Sequence, residues 1–123
     1  MNKIEQVLRR VSLDDVLQTS FDRTRRIVLT CDSEESIVLF QWKQDQYLPD
    51  HSHVGDCHYQ VLRGCLLETR NGKPIIVHEN SYGYIGKDEI HSILPLRDSV
   101  SIHCYRPPPT FRCPSMDHVT HIV

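Results

Sequence analysis

The 123-residue sequence predicts an all-β barrel or sandwich preceded by short N-terminal helices, and three observations lead there. From about Arg25 onward the chain breaks into short β-branched and aromatic runs separated by turn residues, the texture of many short strands. Asn71-Gly72, between Thr69-Arg70 and Lys73-Pro74, is a strong hairpin turn signal. Helical periodicity, by contrast, is confined to the segment 1–20.

Taken in order, Ile4, Val7, Leu8 and Val11 follow the i, i+3, i+4, i+7 rule and predict an amphipathic helix over 2–10. Ser12 with Asp15 has capping-box spacing, Asp replacing the usual Glu or Gln, and Val11 with Val16 supplies a hydrophobic staple. A second helix therefore starts there and ends near Thr19. Strands are expected at 25–31, 36–42, 57–63, 65–70, 74–78, 82–85, 90–95 and 99–105, with a looser turn at Asp32-Ser33-Glu34-Glu35. Pro107-Pro108-Pro109 ends the last of them, because proline cannot donate to a sheet ladder. Residues 110–123 carry scattered apolar side chains and suit either an extra packed segment or one exchanged with a partner. The whole chain 1–123 reads as a single domain: helical segment 1–20, β core 25–106 and tail 107–123.

Hydrophobic content of 39% and charged content of 24% are ordinary globular values. A net charge of −2, with no run of Lys or Arg longer than a pair, argues against nucleic-acid or anionic-membrane partners. No segment reaches the ~18 consecutive apolar residues of a membrane span. The polar start Met1-Asn2-Lys3-Ile4-Glu5-Gln6 lacks the apolar core of a secretion signal, which predicts a cytoplasmic protein with its five cysteines reduced. Those cysteines lack Cys-x-x-Cys spacing, so a structural zinc site is not expected.

Eight histidines are the compositional oddity, and they are dispersed rather than gathered in a tag. His51 and His53, at i and i+2 on an extended segment, can present two imidazoles to one ion. The best third candidate is His91, which could lie beside that pair once the sheets close. His58, His78, His118 and His121 carry no such spacing. In Ser101-Ile102-His103-Cys104-Tyr105, Ser, His and Tyr alternate, so on a strand all three polar side chains share one face. Val100, Ile102 and Cys104 then occupy the other, and simple apolar-in patterning would leave the polar set in water.

His51-x-His53, Gly64 closing the next strand, and Gly86 with His91 resemble the two-part signature of cupins, small double-sheet β-barrels of jelly-roll type with a metal at the mouth. Cys57 stands where the usual first motif has Glu, which makes the chain most similar to the thiol dioxygenases of the cysteine dioxygenase family. The run from His51 to Gly64 carries that likeness. It continues in Thr24-Arg25-Arg26-Ile27-Val28, in Trp42 nine residues before His51, in Leu66-Leu67-Glu68-Thr69, and in Ser101 to Pro108. The similarity spans roughly residues 20 to 113.

The resemblance implies a mononuclear Fe(II) held by His51, His53 and His91, with dioxygen (O2) as co-substrate and free L-cysteine oxidised to the sulfinate. Three neutral imidazoles leave the ion its full charge, which favours an anionic thiolate ligand. By resemblance, Arg25 holds the substrate carboxylate, a planar group that suits a guanidinium fork, while Arg26 points to the opposite face. Ser101, His103 and Tyr105 match a relay whose working end is the phenol, and Cys57 matches a position joined to that tyrosine by a thioether in some members.

The chain departs from that pattern in several places. The step from His53 to Cys57 is one residue shorter, His91 to His103 is shorter, position 23 is Arg, and the C-terminal end is reduced. Alternatives are a dioxygenase for 3-mercaptopropionate or cysteamine, a cupin isomerase or epimerase, and a non-catalytic cupin that binds a small thiol. Monomer and homo-oligomer are equally compatible with the sequence.

Overall fold

The structure, a computed structural model, describes residues 6, 9, 17, 21–53, 55–107 and 119–121. Its ten strands are β1 (Arg25–Cys31), β2 (Ser36–Trp42), β3 (Leu48–His51), β4 (Asp56–Arg63), β5 (Cys65–Arg70), β6 (Lys73–His78), β7 (Tyr82–Ile85), β8 (His91–Pro95), β9 (Ser99–Arg106) and β10 (Val119–His121). They form two antiparallel sheets, a six-stranded one ordered β10-β1-β2-β9-β4-β7 and a four-stranded one ordered β3-β8-β5-β6. Among the described residues these ladders remain separate, so of the barrel or sandwich expected from the sequence the structure shows the double sheet, without barrel closure. The expected helices over 2–10 and from Ser12 to Thr19 lie outside the described residues, apart from Gln6, Arg9 and Leu17.

All eight strands read from the sequence are present to within a residue at each end, and two more appear. β3 carries Pro49 and Asp50, both exposed and both poor strand formers, so its four residues read as loop. It forms because the β8 edge is available for pairing. β10 pairs with β1, with Ile27 opposite Val119, so the proline run ends β9 without ending the fold.

Strands β2 and β9 are the central pair of the larger sheet and are buried on both faces. Val38, Phe40 and Trp42 of β2 point inward and join Val28, Cys57, Tyr59, Val61 and Tyr105 with Leu66, Val77, Ile85 and Ile93. Ile37 and Leu39 point outward and join Val100, Ile102 and Cys104 under Leu17, Ile27, Leu29 and Leu62. Burying such a side chain stabilises by about 1.5–3 kcal/mol, so the outer layer is a substantial second core. It also explains β9: its apolar set fills the outer layer, and Ser101, His103 and Tyr105 are turned between the sheets rather than toward water.

A bulge between Val28 and Thr30 shifts the alternation of β1, and Cys31 thereby packs on the inner cluster. Cys31 is disulfide-bonded, which corrects the expectation that every cysteine is reduced; Cys57, Cys65 and Cys104 are free. Among the described residues no helix is long and apolar enough to cross a membrane.

Candidate metal centre

Cross-strand register assembles the histidines. His51 ends β3 directly opposite His91, which begins β8, so the antiparallel pairing places two imidazoles side by side. His53 follows two residues on. Its carbonyl accepts from the Asp88 amide at 3.1 Å, which ties it to the turn before His91. The nitrogens of His51, His53 and His91 that face one another lie within 4.8 Å, and the ring centroids are 4.3–5.0 Å apart.

The donor set fits a metal ion. Nδ1 of His51 donates to the Pro49 carbonyl at 2.9 Å, which leaves its Nε2 lone pair free. Nδ1 of His53 and both ring nitrogens of His91 are buried without a hydrogen-bond partner, a costly arrangement unless something is ligated there. Burial lowers the His51 pKa against the opposing Pro49 contact. It takes His53 to about 4, with His91 and His51 adding to the shift. Both rings are therefore neutral near neutral pH, the form that ligates.

The cluster opens into a pocket of about 190 Å³ lined by Phe40, Trp42, Leu48 and Ile93, with Tyr105 and Arg26 as its polar groups beside the histidines. Tyr105 packs edge-on against His53, ring centroids 5.2 Å apart. Burial, then the neighbouring Cys57, holds its phenol well above the ordinary tyrosine range, so it keeps its proton.

Behind Tyr105 runs a buried polar chain. Trp42 Nε1 donates to Ser101 Oγ at 2.7 Å, and Ser101 Oγ meets His103 Nε2 at 2.7 Å. Trp42 can only donate, so Ser101 keeps its own proton for His103. The tautomer that completes the chain carries its proton on His103 Nδ1, which lies 3.6 Å from Cys57 Sγ. Cys57 is the cross-strand partner of Tyr105 and contacts its side chain. The chain thus reaches the phenol through Cys57, and the His103 and Tyr105 rings stack 5.9 Å apart. Burial keeps His103 neutral and raises the Cys57 thiol.

The structure brings Ser101, His103, Tyr105, Cys57 and the three histidines together, and it leaves Arg25 out. Arg25 lies on the outer-face parity of β1 and its Nε donates to Gln41, which shares that face of β2 with Ile37 and Leu39. Arg26 is the arginine that lines the pocket, opposite Phe40, with Nε buried and unpartnered. Alternation along the strand makes the two choices exclusive: Arg26 faces the pocket and Arg25, expected there from the sequence, does not.

Sequence reading also passed over Glu68. Its side chain is 1% exposed, its Oε1 accepts from Arg70 at 2.5 Å and its Oε2 from Tyr59 Oη at 3.1 Å. His91 Nδ1 lies 3.4 Å from Oε2. Burial alone would raise this carboxyl's pKa; His91, Arg70 and Tyr59 outweigh it and hold the group ionised. The available signal was Leu66, Glu68 and Arg70 at alternate positions, two charges on the face of a core leucine. Tyr59 also stacks on His103, centroids 4.8 Å apart, and needs Gly83: a Cβ there would stand 2.2 Å from the Tyr59 ring.

No protein-family model matches the chain, and no curated protein sequence does. Among solved structures it is similar to an RmlC-like cupin protein from Desulfovibrio desulfuricans, with 24% identity, a TM-score of 0.65, and 73% of this chain and 90% of that one covered. A cupin superfamily protein from Desulfitobacterium hafniense gives 15% identity and a TM-score of 0.71 over 79% of this chain and 89% of that one. A salicylate 1,2-dioxygenase variant from Pseudoaminobacter salicylatoxidans gives 12% identity and a TM-score of 0.64, covering 83% of this chain but 32% of the larger protein. The double sheet has the fold of these cupin proteins.

Proposed function

We propose that the protein is an iron-dependent thiol dioxygenase that oxidises free L-cysteine to cysteine sulfinate. The observation that carries the reading is the placement of Tyr105, backed by Cys57, against a cluster of three histidines. Both atoms of dioxygen enter the product, so the reaction needs no separate reductant. A bound Fe(II) would supply dioxygen activation and a seat for the thiolate, with His51, His53 and His91 as its protein ligands.

This chain's own residues bind, orient and hold protons. Arg26 provides a guanidinium for the substrate carboxylate inside an apolar pocket, where such a contact is strengthened. Phe40, Trp42, Leu48 and Ile93 limit water around the reacting sulfur. Tyr105 keeps its proton and offers it beside the ligand histidines, while Ser101 and His103 fix the thiol that fixes the phenol. With dioxygen as oxidant, Cys57 and Tyr105 can each lose one hydrogen and join sulfur to ring carbon, the two hydrogens leaving with the reduced dioxygen as hydrogen peroxide.

The test is metal analysis of the purified protein followed by oxygen-uptake measurements with L-cysteine, cysteamine and 3-mercaptopropionate in parallel. Iron and uptake on cysteine are expected. Uptake confined to either other thiol reassigns the substrate, and bound metal with no uptake on any thiol favours a thiol-binding cupin without turnover.

A further inference from the structure

A carboxylate with almost no exposure between two sheets is expensive to bury, by several kcal/mol, unless paired and hydrogen-bonded. Glu68 has such pairing, and its partners are not packed at random. Arg70 holds Oε1, Tyr59 holds Oε2, and the same Oε2 faces His91 Nδ1. Arg70 is itself within 3.9 Å of Glu89, whose other oxygen accepts from the Gly86 amide at 2.6 Å in the turn that leads into His91. Glu68 and His91 sit on adjacent strands, with Arg70 opposite His91 and Glu68 two residues before it.

His91 has both ring nitrogens buried and unpartnered, and only Nδ1 faces the carboxylate. A histidine that ligates through one nitrogen donates from the other, usually to a carboxylate, carbonyl or water. Glu68 is the acceptor within reach. We infer that Glu68 is a positioning residue for the metal centre: its carboxylate fixes the His91 tautomer with the proton on Nδ1, leaves Nε2 for the ion, and through Tyr59 couples that ligand to His103. The inference rests on the metal-centre reading above and adds a residue to it. Arg70 and Glu89 serve the same end, holding the carboxylate in place.

The test titrates the metal-free protein and its Glu68→Gln variant with Co2+, following visible absorption. The amide keeps the side chain's shape but is a weaker acceptor, so affinity is expected to fall by about 10–100-fold. The Co2+ bands are expected to shift, a readout that a purely structural role would leave unmoved. Equal affinity with unchanged bands overturns the inference. If Glu68→Gln fails to fold, Glu68→Gln/Arg70→Met removes the pair without stranding a buried cation, and the same two outcomes apply. A wild-type protein that binds no Co2+ overturns the metal-centre reading itself, which is a different result from a variant that matches it.

Discussion

The two sheets face each other across one pocket and equip it in opposite ways. The smaller sheet, with the segment leaving β3, brings three imidazoles, and Nδ1 of His53 and both ring nitrogens of His91 are buried without partners. The larger sheet brings Trp42, Ser101, His103, Cys57 and Tyr105, each in contact with the next. One half has open valence and is built to receive something from outside. The other satisfies itself and is built to hold an orientation, which is why β9 is packed on both faces while β3 lies exposed at a sheet edge.

If the halves are as distinct as their chemistry, substitutions will separate metal from turnover. The largest effect is expected from His51→Ala, which should abolish both iron binding and oxygen uptake; His58→Ala, on the exposed side of β4, should do neither. Metal content and an oxygen electrode check both. Next is Tyr105→Phe, which should keep its iron and lose roughly 10²–10⁴ in kcat, the usual worth of a positioned proton donor. Wild-type protein should lose two hydrogens in intact mass after turnover, and this variant should not. Metal loss in Tyr105→Phe would mean that the halves are one unit.

Arg26→Gln should raise the KM for L-cysteine by about 10–100-fold, from a charge-assisted hydrogen bond worth about 1.5–3 kcal/mol. Arg25→Gln should leave it unchanged, since that side chain turns to Gln41. The smallest effect is one of pH. His53 titrates near 4 when folded against 6.5 for a free imidazole, so below pH 6.5 the unfolded chain takes up the proton first. Metal-free protein should therefore lose stability as pH falls from 6.5 toward 4, with His51 and His103 acting in the same direction. Urea midpoints across that range measure it, and a flat profile would place those rings in water.

Much of this was legible in the sequence because period-two alternation survives in short strands. The histidine triad could be read because His51-x-His53 has a spacing that only an extended chain turns into a shared face. β3 was not legible, since Pro49 and Asp50 oppose strand structure and pairing with β8 overrides them. The choice between Arg25 and Arg26 depended on which face of β1 points inward, and adjacent identical residues give no pattern from which to tell. The outer core was hidden for a related reason: strands buried on both faces lose the polar side that marks orientation.

Gly83 lies on β7, at the outer edge of the larger sheet, yet the space it leaves is filled by the Tyr59 ring that touches Glu68 on one side and His103 on the other. Positions 83 and 59 are consequently a single unit of heredity: any side chain acquired at 83 requires a smaller one at 59, and a lineage that made that exchange would uncouple Glu68 from His103 without altering a residue that lines the pocket.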